Sequence, residues 1–328
     1  MNPPPPLHHP WFTQGRWLAL LALVALCLVA AQVAWIGPRA IAATLAHADH
    51  AWALASLLAI LVGALIGGAN SWWLAGKPDG VPFPAFLAYY WTGWAVGLLA
   101  PGQVGDSLTI SLMLRRRNIP MRRSLAGLGV DKLVSLLLMM GTVCALPLVL
   151  IGFRPGGIVF GLLASTAVIV LALAGSAHWL AGHRPRLQSP LLGHTLELVE
   201  NAARLLREQP RRVLINALLT VVKLLLTGVA YWYALQAMGQ PLTLAELPAI
   251  TLCAASAGLV AYLPLSLNGI GTVELTGLTL FGALGLAPEK ILAAYLWLRV
   301  ATLIAAFVPA ASFHIIGRLC TLSRRPSP

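Results

Sequence analysis

Six stretches of this chain run for twenty residues or more with few charges: 17–36, 51–75, 124–151, 156–182, 212–238 and 290–316. A helix needs about 20 largely apolar residues to cross the roughly 30 Å hydrocarbon core of a bilayer. Backbone polar groups find no water at that depth, so each crossing segment must close its own hydrogen bonds. The pattern predicts an all-α polytopic membrane protein with about six transmembrane helices. Composition agrees, since the 328 residues are 59% hydrophobic and 10% charged, with a mean hydropathy of +0.81. A soluble domain carries about a quarter charged residues, and no intervening stretch is long enough for a soluble catalytic domain.

Two further apolar regions are interrupted. Residues 83–114 break at Pro101-Gly102-Gln103-Val104-Gly105-Asp106, and 243–286 break from Pro264 through Asn268-Gly269-Ile270-Gly271 to Glu274. An ionisable side chain at the bilayer centre costs about 2.5–3.5 kcal/mol on insertion scales. Irregular backbone survives there only where protein or a water-filled cavity satisfies it. Both regions are therefore read as re-entrant helical hairpins, with Pro101, Gly102, Gly105, Pro264, Asn268, Gly269 and Gly271 at their turns. Interrupted segments in corresponding halves of a chain point to a transporter's binding site.

Lys and Arg near segment ends set orientation. With the N-terminus inside, the inner segments hold Arg16, Lys77, Arg115, Arg116, Arg117, Arg122, Arg123, Arg184, Arg186, Arg204, Arg207, Arg211, Arg212, Arg318, Arg324 and Arg325. The outer ones hold Arg39, Arg154 and Lys290. This predicts an integral protein of a bacterial cytoplasmic (inner) membrane, N-in and C-in, with the two hairpins entering from opposite sides. Each hairpin precedes a span bearing a base: 27 positions lie from Gly105 to Lys132 (105 to 132) and 28 from Gly271 to Arg299 (271 to 299). The spacing predicts an inverted repeat whose hairpin tips meet near the midplane.

The expected organisation is a disordered cytoplasmic tail over 1–16, one membrane domain over 17–320 and a tail over 321–328. The halves are about 51–182 and 212–320, joined by a cytoplasmic amphipathic segment at 183–211. The first apolar run is read as an uncleaved span, because Gln32 intrudes where a signal peptide would need small residues.

Asp106, Asp131, Lys132, Glu274 and Arg299 are the candidate substrate-binding residues. Asp106 and Glu274 follow the glycine turns, where a carboxylate can bind a headgroup, exchange a proton or cap the next helix. Lys132 or Arg299 can meet Glu274 or Asp106 across the repeat interface, hold a lipid phosphate, or form a salt bridge locking the halves. Arg suits phosphate through its bidentate fork. Arg115, Arg116, Arg117, Arg122 and Arg123 serve as a positive-inside signal and a surface for anionic lipid headgroups.

Other chemistries lack their residues. Net charge is +12, but the basic residues lie in loops between apolar runs, so nucleic acid is not expected as a partner. The four cysteines stand singly, without CxxC spacing. His47-Ala48-Asp49-His50 is not read as a metal site, there is no P-loop, and Gly269-x-Gly271 lacks the βαβ context of a dinucleotide site. No cofactor, metal or catalytic residue is assigned.

Leu263-Pro264-Leu265-Ser266-Leu267-Asn268-Gly269-Ile270-Gly271-Thr272-Val273-Glu274 resembles a Pro-x-x-x-Gly-Gly-x-Gly-x-x-Glu signature, followed by a span with Arg299. Pro101-Gly102-Gln103-Val104-Gly105-Asp106 and Asp131-Lys132 resemble the paired Pro-Gly-x-Gly-Gly-Asp and Asp/Glu-Arg elements. Both belong to the lysylphosphatidylglycerol synthase transmembrane region, a group of flippase-like membrane proteins. Val104, Lys132 and Asn268 depart from the usual Gly, Arg and Gly, and no Arg follows Asp106 closely. The resemblance implies lipid translocation, with headgroup contacts of this chain's own. Members that flip aminoacylated lipid carry a soluble transferase domain. With Pro328 just past the last apolar run, this chain is expected to be a stand-alone form that does not make the lysyl-lipid itself.

The expectation is therefore a translocase moving a phospholipid, glycolipid or isoprenoid-type lipid through a polar cavity at the hairpin tips. A membrane-embedded lipid-modifying enzyme and a non-transporting accessory subunit are the alternatives. Lipid or glycan biosynthesis enzymes are candidate partners, and the oligomeric state is left open.

Overall fold

The computed structural model describes residues 11–74, 81–100, 105–150 and 208–322. Helices are numbered in chain order among these residues: α1 (Trp11–Ile36), α2 (Pro38–Ala46), α3 (His50–Leu74), α4 (Phe83–Gly97), α5 (Gly105–Arg115), α6 (Met121–Leu150), α7 (Pro210–Ala237), α8 (Leu247–Leu259), α9 (Thr272–Ala283) and α10 (Pro288–Leu322). No strand occurs among them. The expected span 156–182, the segment 183–207 and the turn residues Pro101 and Gly102 lie outside the described residues.

Six helical segments are long and apolar enough to cross a bilayer: Gly15–Ile36, His50–Leu74, Met121–Pro147, Arg211–Ala237, Leu244–Tyr262 and Pro288–Ile315. Five coincide with expected spans. The sixth, Leu244–Tyr262, is the first arm of the second interrupted region, which the sequence reading counted only as half a hairpin. Short 3₁₀ turns at Leu244–Glu246 and Val260–Tyr262 extend α8 at both ends to reach that length. The other hairpin arms are short. Helices α4, α5 and α9 have 15, 11 and 12 residues, hence roughly 22, 16 and 18 Å at 1.5 Å per residue. Each falls short of the roughly 30 Å core. At the ends, α1 already begins at Trp11, ahead of the expected 17, and α10 runs on to Leu322.

The chain folds as two units of like design. Helices α3 to α6 give a long helix, two short helices and a long helix, and α7 to α10 repeat the scheme. The two opening helices, α3 and α7, pack along each other. Asp49 N–H donates to Ala237 O (2.9 Å) at one end, and Asn70 meets Asn216 at the other, so they run antiparallel. That is the relation an inverted repeat requires. The closing helices exchange partners: α4 lies against α10, and α8 lies against α6. Trp91 Nε1 donates to Ala305 O (2.8 Å) across the first of these contacts, and Thr142 Oγ1 meets Ser256 Oγ (3.4 Å) across the second.

Small residues permit this closeness. A Cβ on Gly97 would lie 3.1 Å from the Asp106 backbone nitrogen, so glycine there lets α5 fold back closely on α4 without a shift of the backbone. Buried Ala293, Ala294, Ala301, Ala305 and Ala306 do the same for α10, which touches α2, α3, α4, α7 and α9. Large apolar side chains instead line the outer faces: Leu54, Leu58, Val62 and Leu65 on α3, and Leu214, Leu218, Val221, Val222 and Leu225 on α7. An exposed apolar stripe of this kind is the lipid-facing surface of a membrane bundle.

Candidate functional site

The second hairpin tip is built by glycine and asparagine in conformations closed to most residues. Asn268, Gly269 and Gly271 have φ of 48°, 72° and 84°, in the left-handed region that costs other residues roughly 1–2 kcal/mol each. The turn leads into α9, whose first four backbone N–H groups lack helical acceptors. Glu274 supplies one: its Oε2 accepts the Gly271 N–H at 2.6 Å. Its Oε1 accepts Arg299 Nε, also at 2.6 Å. The cap and the ion pair, alternatives on sequence grounds, are two halves of one carboxylate that is 1% exposed. Arg299 also donates through Nη1 to Asn268 O (3.3 Å) and through Nη2 to Gly269 O (3.2 Å). One guanidinium thus ties the closing helix to three points of the turn.

The first hairpin repeats the device with different chemistry. Asp106 stands in the first turn of α5, where its Oδ1 accepts the Ser107 N–H at 2.7 Å. Its Oδ2 pairs with Lys132 Nζ at 2.6 Å. Lys132 and Arg299 both sit eleven residues into their helices (121 to 132, and 288 to 299), about 16 Å along the axis and near the middle of a bilayer. The bases therefore pair within their own halves, not across the repeat interface as one reading of the sequence had it. Hairpin and base adjoin in the chain, and a short helix cannot carry its carboxylate to the far half.

Asp131 departs from expectation. Its carboxylate is buried away from Lys132, accepting Asn216 Nδ2 (2.8 Å), Asn70 Nδ2 (3.2 Å) and Ser71 Oγ (3.4 Å). Successive residues on a helix point about 100° apart, so Asp131 and Lys132 cannot share a face. Asp131 joins α3, α6 and α7 and does not line the central cavity.

That cavity encloses about 360 Å³ between the two units, at the lower end of the roughly 300–1,000 Å³ typical of ligand pockets. Asp106, Lys132, Asn268 and Arg299 line it, so the first turn of α5, the second hairpin tip and both bases open onto one space, while Glu274 stands behind Arg299, outside the lining. The arginines at 115, 116, 117, 122 and 123 are exposed at the α5–α6 turn, outside the cavity. Asp49, in the histidine-bearing loop, is occupied as a cap, accepting the Ala51 N–H at 2.8 Å. No group of three metal-ligating side chains occurs among the described residues.

Two residues escaped the sequence reading. Lys223 lines the cavity from the middle of α7. Its signal was plain, since it is the one charge in the apolar stretch after Arg212, and an intramembrane ionisable residue is a functional candidate by default. Gln32, 4% exposed on α1, donates through Nε2 to Gly271 O at 2.7 Å and so braces the second tip from outside the repeat. In the sequence alone it is only a polar interruption of an apolar run.

Comparison with curated proteins and with solved structures gives no significant match. A family model described as the lysylphosphatidylglycerol synthase TM region matches residues 17–310, nearly the whole of the fold just described. The chain belongs to that family, and is a membrane protein related to lipid handling.

Proposed function

We propose that this protein is a lipid translocase of the cytoplasmic membrane, N-in and C-in, carrying a lipid headgroup through the cavity between its hairpin tips. One observation carries the reading. Two interrupted regions, each with a carboxylate–base pair at mid-membrane depth, face a single space of about 360 Å³ that Asp106, Lys132 and Arg299 line. Discontinuous helices meeting at the midplane between inverted repeats are the arrangement from which alternating access is built. The headgroup would exchange contacts with Asp106, Lys132 and Arg299 while its acyl chains stay in lipid. Rocking of one unit against the other would expose the cavity to each side in turn. Asp131 supports the frame in this reading and does not touch substrate. The basic residues of the inner loops in this orientation support it.

The test is translocation of fluorescent lipids in proteoliposomes, followed by dithionite quenching of the outer leaflet. Wild-type protein should move lipid faster than protein-free vesicles, and Glu274→Gln and Arg299→Ala should abolish the gain in folded protein. Lipid movement at the protein-free rate, for phospholipid, glycolipid and isoprenoid probes alike, would refute the proposal.

A further inference from the structure

We infer that the cavity takes its cargo by an anionic phosphate group, and that Lys223 is the residue that receives it. The inference rests on the cavity being the translocation site and adds the chemical class of what enters it.

Helix α7 separates two faces cleanly. Thr220, Lys223, Leu224, Leu226, Thr227, Ala230 and Tyr231 line the cavity. Leu214, Leu218, Val221, Val222 and Leu225 are exposed on the lipid side. Lys223 therefore points with the cavity stripe. It lies 13 residues from one end of α7 and 14 from the other (210 to 223, and 223 to 237), about 20 Å from either. That distance is far beyond the reach of a lysine stem, so snorkelling to an interface is closed to it.

The other two cavity bases are neutralised, Lys132 by Asp106 and Arg299 by Glu274. Among the described residues the Lys223 ammonium has neither an ion pair nor a hydrogen bond. Of the described charged side chains that line the space itself, Asp106 is the one acid, against Lys132, Lys223 and Arg299, while Glu274 and Asp131 stand behind the lining. A second observation points the same way. Ser135, one turn beyond Lys132 on the same face of α6, lines the cavity with a buried hydroxyl that has no hydrogen-bond partner. An ammonium without a partner among the described residues and an unused hydroxyl, both lining one cavity, are what phosphate oxygens would satisfy. A neutral sugar or hydroxyl headgroup would leave the charge of Lys223 unmet.

The experiment measures equilibrium binding of two fluorescent lipids of equal chain length to the purified full chain in detergent, phosphatidate and a neutral glucosyl diacylglycerol. Wild-type protein should bind phosphatidate at least tenfold more tightly. Lys223→Gln should erase that preference, Ser135→Ala should reduce it, and Lys223→Arg should keep it, which separates loss of charge from loss of fold. Equal binding of the two probes by wild type, or a preference unchanged in Lys223→Gln, overturns the inference. Inorganic phosphate added as competitor identifies the source: displacement at matching affinity assigns the site to free phosphate, and failure to displace assigns it to the lipid headgroup. Selective binding without translocation would leave this inference standing and refute the translocase. Translocation without selectivity would do the reverse.

Discussion

Replacing Arg299 with methionine, alone and together with Glu274→Gln, isolates the interaction that holds the second hairpin tip. The single change leaves a carboxylate that is 1% exposed without its cation, and two turn carbonyls without their donors. Removing one partner from a buried ion pair costs about 3–5 kcal/mol. The Arg299 side chain is 29% exposed, so cavity water recovers part of this and about 3 kcal/mol is expected. Glu274→Gln keeps an oxygen for the Gly271 N–H but loses the charge facing Arg299, for about 2 kcal/mol. The double variant leaves no unpaired charge and should cost about 3 kcal/mol, not the roughly 5 of simple addition, a coupling of about 2 kcal/mol. Reversible unfolding in mixed detergent–dodecyl sulfate micelles, followed by circular dichroism, measures all four corners. The equivalent cycle at Lys132 and Asp106, whose side chains are 28% and 19% exposed, should show about 1 kcal/mol or less. Additivity within about 0.5 kcal/mol at Arg299 and Glu274 would refute the account of the tip.

Asp131→Asn should lower stability by about 1–3 kcal/mol, since it disturbs a carboxylate with three donors, yet leave translocation per folded molecule unchanged, as measured by dithionite quenching normalised to folded protein. Gly271→Ala meets both a positive φ and the Leu28 side chain at 2.5 Å. It should destabilise by more than about 1–2 kcal/mol in the same unfolding assay. Gly282→Ala, with open space around it, should be neutral or stabilising by up to about 1 kcal/mol.

The sequence declared the membrane class through its apolar runs, and proline, glycine and carboxylate together marked the two interruptions because they have few other uses at that depth. Equal spacing from turn to base carried the repeat, and the antiparallel course of α3 and α7 agrees with it. Finer points depend on helix phase and on distant neighbours. Asp131 and Lys132 are adjacent in sequence and diverge only once the helix turns. Lys223 belongs to no motif, and its meaning lies in its having no carboxylate partner among the described residues, which no linear reading displays. Gln32 is 239 positions from the carbonyl it bonds. The Leu244–Tyr262 arm gained its length from 3₁₀ turns at both ends, where apolar periodicity gives no boundary.

The central claim is that lipid headgroups cross through the cavity between the hairpin tips, and filling that cavity tests it most directly. Thr227 lines the space, and its hydroxyl bonds only the Lys223 carbonyl one turn back, at 3.0 Å. Thr227→Trp therefore adds bulk without removing a hydrogen bond to another helix among the described residues. Translocation rates of fluorescent phospholipid would be compared in proteoliposomes holding equal amounts of folded wild-type and variant protein. The account predicts that the variant falls to the rate of protein-free vesicles. Transport at the wild-type rate through a filled cavity would contradict it.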